Sequence, residues 1–125
     1  MYNRTYREID LKAIEHNFDL LSRKVAEGVK KCAVIKADAY GHGAVKAAQA
    51  LEKAGVFAFA VSNLLEAEEL RNNSVTKPIL VLGYTPPEYA EHLEKYNIQQ
   101  SVFSLEYAQQ LNAYAQKAGV VVSAH

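Results

Sequence analysis

Apolar residues fall along this chain in two alternating rhythms. After a short extended candidate, Thr5 to Ile9, Asp10 stands as a helix cap ahead of Leu11, Ile14, Phe18, Leu21 and Val25, whose steps of three and four make a one-sided stripe. Cys32 to Ile35 is a short unbroken apolar run, which predicts a strand. Gly41 and Gly43 then break the chain, and Val45, Ala48 and Leu51 predict a helix closed at Gly55. The alternation recurs. Val56 to Val61 reads as a strand, Ser62 as the cap of a helix carrying Leu65, Ala67 and Leu70, and Ile79 to Leu82 as the next strand. Thr85-Pro86-Pro87-Glu88 predicts a helix start, with a capping threonine, proline at the first helical position and a glutamate to close a capping box. Ser101 to Phe103 is a strand candidate, Ser104 caps a helix ending at Gly119, and Val120 to Val122 opens one more strand.

Five strand candidates therefore begin near residues 33, 57, 79, 100 and 120, with helices between them. Apolar strands alternating with helices imply an α/β fold with parallel pairing and both faces of the sheet covered. Spacings of 20 to 24 residues suit the repeat unit of a TIM-type (β/α)8 barrel, a fold of roughly 250 residues when whole. A complete five-stranded flavodoxin-like domain would fit the same length. The last strand has no helix after it to cover its outer face, which favours a partial (β/α)8 barrel of about five βα units, truncated before closure.

Composition narrows the function classes. Half of the 125 residues are apolar and 22% are charged, enough for one modest core. Fourteen basic residues balance fourteen acidic ones, and no basic stripe appears, so neither nucleic acid nor an anionic membrane is an expected partner. A single cysteine, Cys32, has no internal disulfide partner and fits a reducing cytosol. Residues 1–7 have no apolar core of a secretory signal, and no run of 18 apolar residues could span a bilayer, so a cytoplasmic location is expected. His16, His42, His92 and His125 are scattered, with no spacing that suggests a metal. No phosphate-binding P-loop, dinucleotide fingerprint or nucleophile elbow is present. Glu66, Glu68 and Glu69 read most simply as the solvated face of a helix.

The chemically informative stretch is Ala33-Val34-Ile35-Lys36-Ala37-Asp38-Ala39-Tyr40-Gly41-His42-Gly43. In parallel α/β sheets functional residues gather at the C-terminal ends of strands, where Lys36 stands. Val34 and Lys36 point the same way along the strand, inward in a barrel. Burial there favours the neutral amine that Schiff-base chemistry needs. The ordinary alternative is a strand-end lysine with its head in water. Tyr40 brings a phenol to a loop able to fold over the strand end, and Gly41-His42-Gly43 lets backbone approach a ligand.

From Val34 to Gly43 the sequence resembles the pyridoxal-phosphate attachment site of the alanine racemase family. The likeness continues in Glu8 to Ile14 with Asn17, in Ala58 to Arg71, and in Lys77 to Gly83. The resemblance implies a pyridoxal 5'-phosphate-binding barrel over residues 11–125, followed in the family by a mostly β domain, working as a cytoplasmic homodimer that interconverts L- and D-alanine for peptidoglycan. Carried over, Lys36 holds the cofactor as a Schiff base and serves as the base for one face of the α-carbon. Tyr40 lies against the cofactor and its phosphate, and by position Val34 and Leu82 line the cavity near the ring. Residues 1–10 would supply a strand that pairs with the C-terminal domain. The second catalytic base and most phosphate and carboxylate ligands come from later parts of such a protein, so these 125 residues alone are expected to be inactive. The same lysine would serve a serine or broad-specificity amino-acid racemase, or a non-catalytic PLP-binding barrel protein.

Overall fold

Four of the apolar runs become strands in the computed structural model, which describes residues 5–125. These are β1 (Cys32–Val34), β2 (Ala58–Val61), β3 (Ile79–Val81) and β4 (Ile98–Gln100). They lie parallel in the order β1-β2-β3-β4, with Val34 opposite Ala60, Val61 opposite Val81, and Val81 opposite Gln100. A flavodoxin-like sheet would place its first strand in the interior. Here β1 is an edge, and the chain builds outward in sequence order, as a barrel does.

Helices follow the strands. α1 (Leu11–Ser22) precedes β1, a single turn α2 (Lys36–Gly41) leads into α3 (Ala44–Lys53), α4 (Leu64–Asn72) follows β2, a 3-10 turn (Pro87–Tyr89) runs into α5 (Ala90–Lys95), and α6 (Leu105–Ala118) follows β4. The core lies between them and one face of the sheet. Phe59, Val61, Ile79, Val81 and Ile98 are all at most 1% exposed and pack with Ala48, Ala67, Leu70, Leu93 and Leu111. The alternate positions form the opposite face, where Val34 is 44% exposed. The expectation that both sheet faces are covered is met on the helix side and only in part on the other, where Ala60 is 3% exposed and Leu80 and Gln99 are half-buried. Sequential strands joined by crossovers of one hand put every helix on the same side.

Local signals set most boundaries. The Asp10 carboxylate accepts from Lys12 N and Ala13 N and starts α1, and Ser104 does the same for α6 by accepting from Tyr107 N. Gly119, left-handed at φ 70, closes α6. Four expectations need correction. Asn63, not Ser62, caps α4, accepting from Glu66 N at 3.0 Å. Thr85 caps nothing: it is buried at 2% exposure, while Pro86 and Pro87 lead first into the 3-10 turn. β4 lies three residues earlier than the apolar run Val102-Phe103 suggests, because its last two positions are the glutamines Gln99 and Gln100. A fifth strand begins later than Val120: Gln100 bridges Ala124, and the Val102 amide donates to His125 O at 2.9 Å.

Residues 5–10 form no helix or strand, and the rest of the expected N-terminal strand, residues 1–4, lies outside the described residues. At the N-terminal ends of the strands two side chains tie loops together. Arg71 donates to four backbone carbonyls, those of Tyr96, Val75, Lys77 and Asn97, at 2.8–2.9 Å. Glu52 accepts from Thr76 N and Lys77 N, each at 2.8 Å, and from Thr76 Oγ1 at 3.1 Å.

Candidate active site

β1 ends at Val34, Ile35 turns into the core at 4% exposure, and Lys36 emerges half-buried at the C-terminal rim. The next four residues have an unusual backbone. Ala37, Asp38, Ala39 and Tyr40 are all left-handed, with φ between 50 and 54 and ψ between 34 and 53. Left-handed residues other than glycine ordinarily occur singly and cost about 1–2 kcal/mol each. Four in a row persist only where the surroundings hold them.

The surroundings do so at several points. Ala37 N donates to Glu66 Oε1 at 2.9 Å, and Ala39 N to Ile35 O at 2.9 Å. Asp38 Oδ1 accepts from Ala44 N at 2.8 Å, fastening the turn to the start of α3. His42 Nδ1 lies 2.8 Å from Ala39 O, and Arg7 donates to Gly41 O. Gly41 and Gly43, both at φ 87, let the chain leave the turn.

The left-handed turn leaves the Tyr40 side chain 62% exposed, four residues after Lys36. Val34 lies on the open sheet face. Carrying the register two residues beyond Leu80, which pairs with Ala60 beside Val34, brings Leu82 to the same face and level with Lys36. Leu82 is 43% exposed, and β2 separates it from β1, so the two strands are about 10 Å apart. Lys36 and Tyr40 thus share one turn, with Val34 and Leu82 on the open face beneath the same rim. Among the described residues no hydrogen bond or ion pair engages the Lys36 amine, and no group of three or more His, Cys, Asp or Glu is placed to hold a metal. An amine and a phenol at the mouth of an apolar face can hold a carbonyl compound and exchange protons with it.

Two features were not legible as site features. Glu66, expected on a solvated helix face, instead joins the rim: its Oε2 accepts from Ser62 N at 2.7 Å while Oε1 holds Ala37 N. The signal that could have found it is the capping pattern Asn63-x-x-Glu66, hidden because the cap was assigned to Ser62. Farther along the rim, Tyr84, Phe103 and Tyr107 form an aromatic cluster, with Phe103 stacked on Tyr107 at 4.8 Å between centroids. Burial pushes the Tyr107 phenol up, and its hydroxyl donates to Thr85 O at 2.7 Å.

Comparisons with known proteins agree on one family. The alanine racemase N-terminal domain family matches residues 9–125. An alanine racemase of Geobacter sp. (strain M21) is 45% identical over 97% of this chain, which spans 32% of that relative. An alanine racemase of Clostridium difficile 630, solved in complex with cycloserine, superposes with a TM-score of 0.92 at 44% identity, covering all of this chain and 33% of the other. A histidine racemase from Leuconostoc mesenteroides superposes with a TM-score of 0.84 at 29% identity over 99% of this chain and 34% of its own. The sheet of parallel strands in sequence order is accordingly a partial TIM-type barrel, and the chain spans about a third of the length of these relatives.

Proposed function

This chain belongs to the family of alanine racemase N-terminal domains, and from that premise we propose that it supplies the lysine-bearing part of a pyridoxal-phosphate-dependent alanine racemase. The observation that carries the reading is Lys36 at the C-terminal end of β1, followed at once by a left-handed turn that also carries Tyr40. The residues present fit the cofactor. A primary amine is free to condense with its aldehyde, an exposed phenol stands one turn away, and the apolar side chains of Val34 and Leu82 flank the open face where a flat ring would rest. Lys36 would hold the cofactor and Tyr40 would contact it. When bound, the cofactor draws electrons away from the substrate α-carbon and so acidifies its proton.

Lys36 then has two tasks. Its amine would hold the cofactor, and as a free amine it would remove or return the α-proton on one face of the substrate. Racemisation needs a second group on the opposite face, and that group comes from outside these residues. The relatives' names support alanine as the substrate, and their greater length supports a longer whole protein; we infer that it works as a homodimer in the cytoplasm, supplying D-alanine for peptidoglycan. The likeness to a histidine racemase supports a second substrate reading, in which the same lysine serves another amino acid.

Borohydride reduction of the PLP-loaded protein followed by peptide mass spectrometry tests the assignment. The pyridoxyl label should sit on Lys36, and Lys36→Ala should lose both the label and the visible absorbance of the bound cofactor. A label on a different lysine would sink the reading.

A further inference from the structure

Glu66 has two carboxylate oxygens, and they serve different elements. One belongs to its own helix: Asn63 Oδ1 accepts from Glu66 N at 3.0 Å while Glu66 Oε2 accepts from Ser62 N at 2.7 Å. This is a reciprocal cap displaced one residue outward, and it needs only one oxygen. The other, Oε1, leaves the helix and accepts from Ala37 N at 2.9 Å, 29 residues away in sequence. That amide closes the Lys36–Ala37 peptide, the last link before the four left-handed residues.

A hydrogen bond from an amide to a carboxylate is charge-assisted and fixes the plane of the peptide that donates it. We propose that Glu66 is a positioning residue for Lys36: by holding the Lys36–Ala37 peptide it sets the direction in which the lysine side chain leaves the rim. This rests on the reading of Lys36 as the cofactor-holding residue.

Among the hydrogen bonds that the described residues make to the turn, this one alone comes from the neighbouring βα unit beyond β2. Asp38, His42 and Arg7 all act within or before the first unit. The Glu66 link also continues along the rim. Ser62 O accepts from Gly83 N at 3.1 Å, and Gly83 O accepts from the buried Gln100 Nε2 at 2.8 Å. Lys36 is thereby referred to the ends of β2, β3 and β4, a rigid frame, and not only to the strained turn after it. A lysine that must hold a ring and then address one hydrogen of the substrate needs such a frame, because small misplacements cost large factors in rate.

The test compares Glu66→Ala with Asn63→Ala, which loosens the same helix cap and leaves the Ala37 contact in place. In the cofactor-free protein, Ala37 amide exchange should quicken at least about tenfold in Glu66→Ala and stay unchanged in Asn63→Ala. In the complete cofactor-loaded enzyme that carries these residues, kcat should fall by about tenfold or more with little change in KM for Glu66→Ala alone. Glu66→Gln, with one acceptor oxygen in place of two, should fall between, and it carries the comparison if the alanine variant does not fold. Equal behaviour of the Glu66 and Asn63 variants, in a protein whose label sits on Lys36, overturns the positioning role alone. A label elsewhere overturns the reading of Lys36 and the positioning role with it.

Discussion

At Gly83 a single hydrogen atom decides whether two strand ends can meet. A Cβ there would lie 2.5 Å from Ser62 O, a backbone atom that cannot swing aside. Gly83→Ala should therefore part the ends of β2 and β3 and lower stability by roughly 1–3 kcal/mol, read as a shift in the urea midpoint. An unchanged midpoint would show that the rim yields. Residues of this kind were partly legible in the sequence. Lys36 and Tyr40 stood out because a long, chemically odd motif surrounds them, and the structure gives them a common turn. Its left-handed twist was not foreseeable, since Ala37-Asp38-Ala39-Tyr40 contains no glycine and each residue alone favours ordinary backbone. Glu66 was invisible for a different reason: its partner is 29 residues away, beyond the reach of any local pattern.

Among the elements, the loops at the N-terminal ends of the strands depend on charged side chains to bind backbone. Burial by itself would raise the Glu52 carboxyl, yet the amides of Lys77 and Thr76, the Thr76 hydroxyl and the Lys77 charge together hold it below the ordinary glutamate value. A depressed value in the folded state means that folding favours the ionised form. Its contribution is complete above the unfolded glutamate value of about 4.3 and vanishes as pH falls through the lower, folded value. Glu52→Gln should thus be less stable than the parent near pH 7, with the gap closing below about pH 4 in denaturation midpoints measured across pH. A gap that persists in acid would mean that charge plays no part. Three helix ends were readable because they obey short-range rules: Asp10, Ser104 and Gly119 do what their chemistry suggests, while Ser62 and Thr85 do not. β4 was misplaced by three residues because burial of Gln100, at 0% exposure, comes from its hydrogen bonds to Gly83 O and Ser101 O and not from hydrophobicity.

For the molecule as a whole, alternating strands and helices indicated the parallel sheet, and their regular spacing favoured a barrel over a doubly wound domain. The strand order bears that out. One face of the sheet stays open, and only one of the two proton-transferring groups that racemisation needs is proposed among these residues. The 125 residues by themselves should accordingly show no interconversion of L- and D-alanine in a chiral assay. Turnover at the rate of a complete enzyme would overturn that division of labour. Strand order also bears on how the fold is made. Because β2, β3 and β4 each lie beside the strand synthesised just before them, every strand emerging from a ribosome would find its template already in place, and assembly can keep pace with translation at low contact order. The outer edge of β1 alone gains nothing from this order of arrivals. That edge waits for whichever strand closes the barrel, so the register of the late seam, and not the growth of the sheet, is the step at which a barrel of this kind is most exposed to wrong pairing.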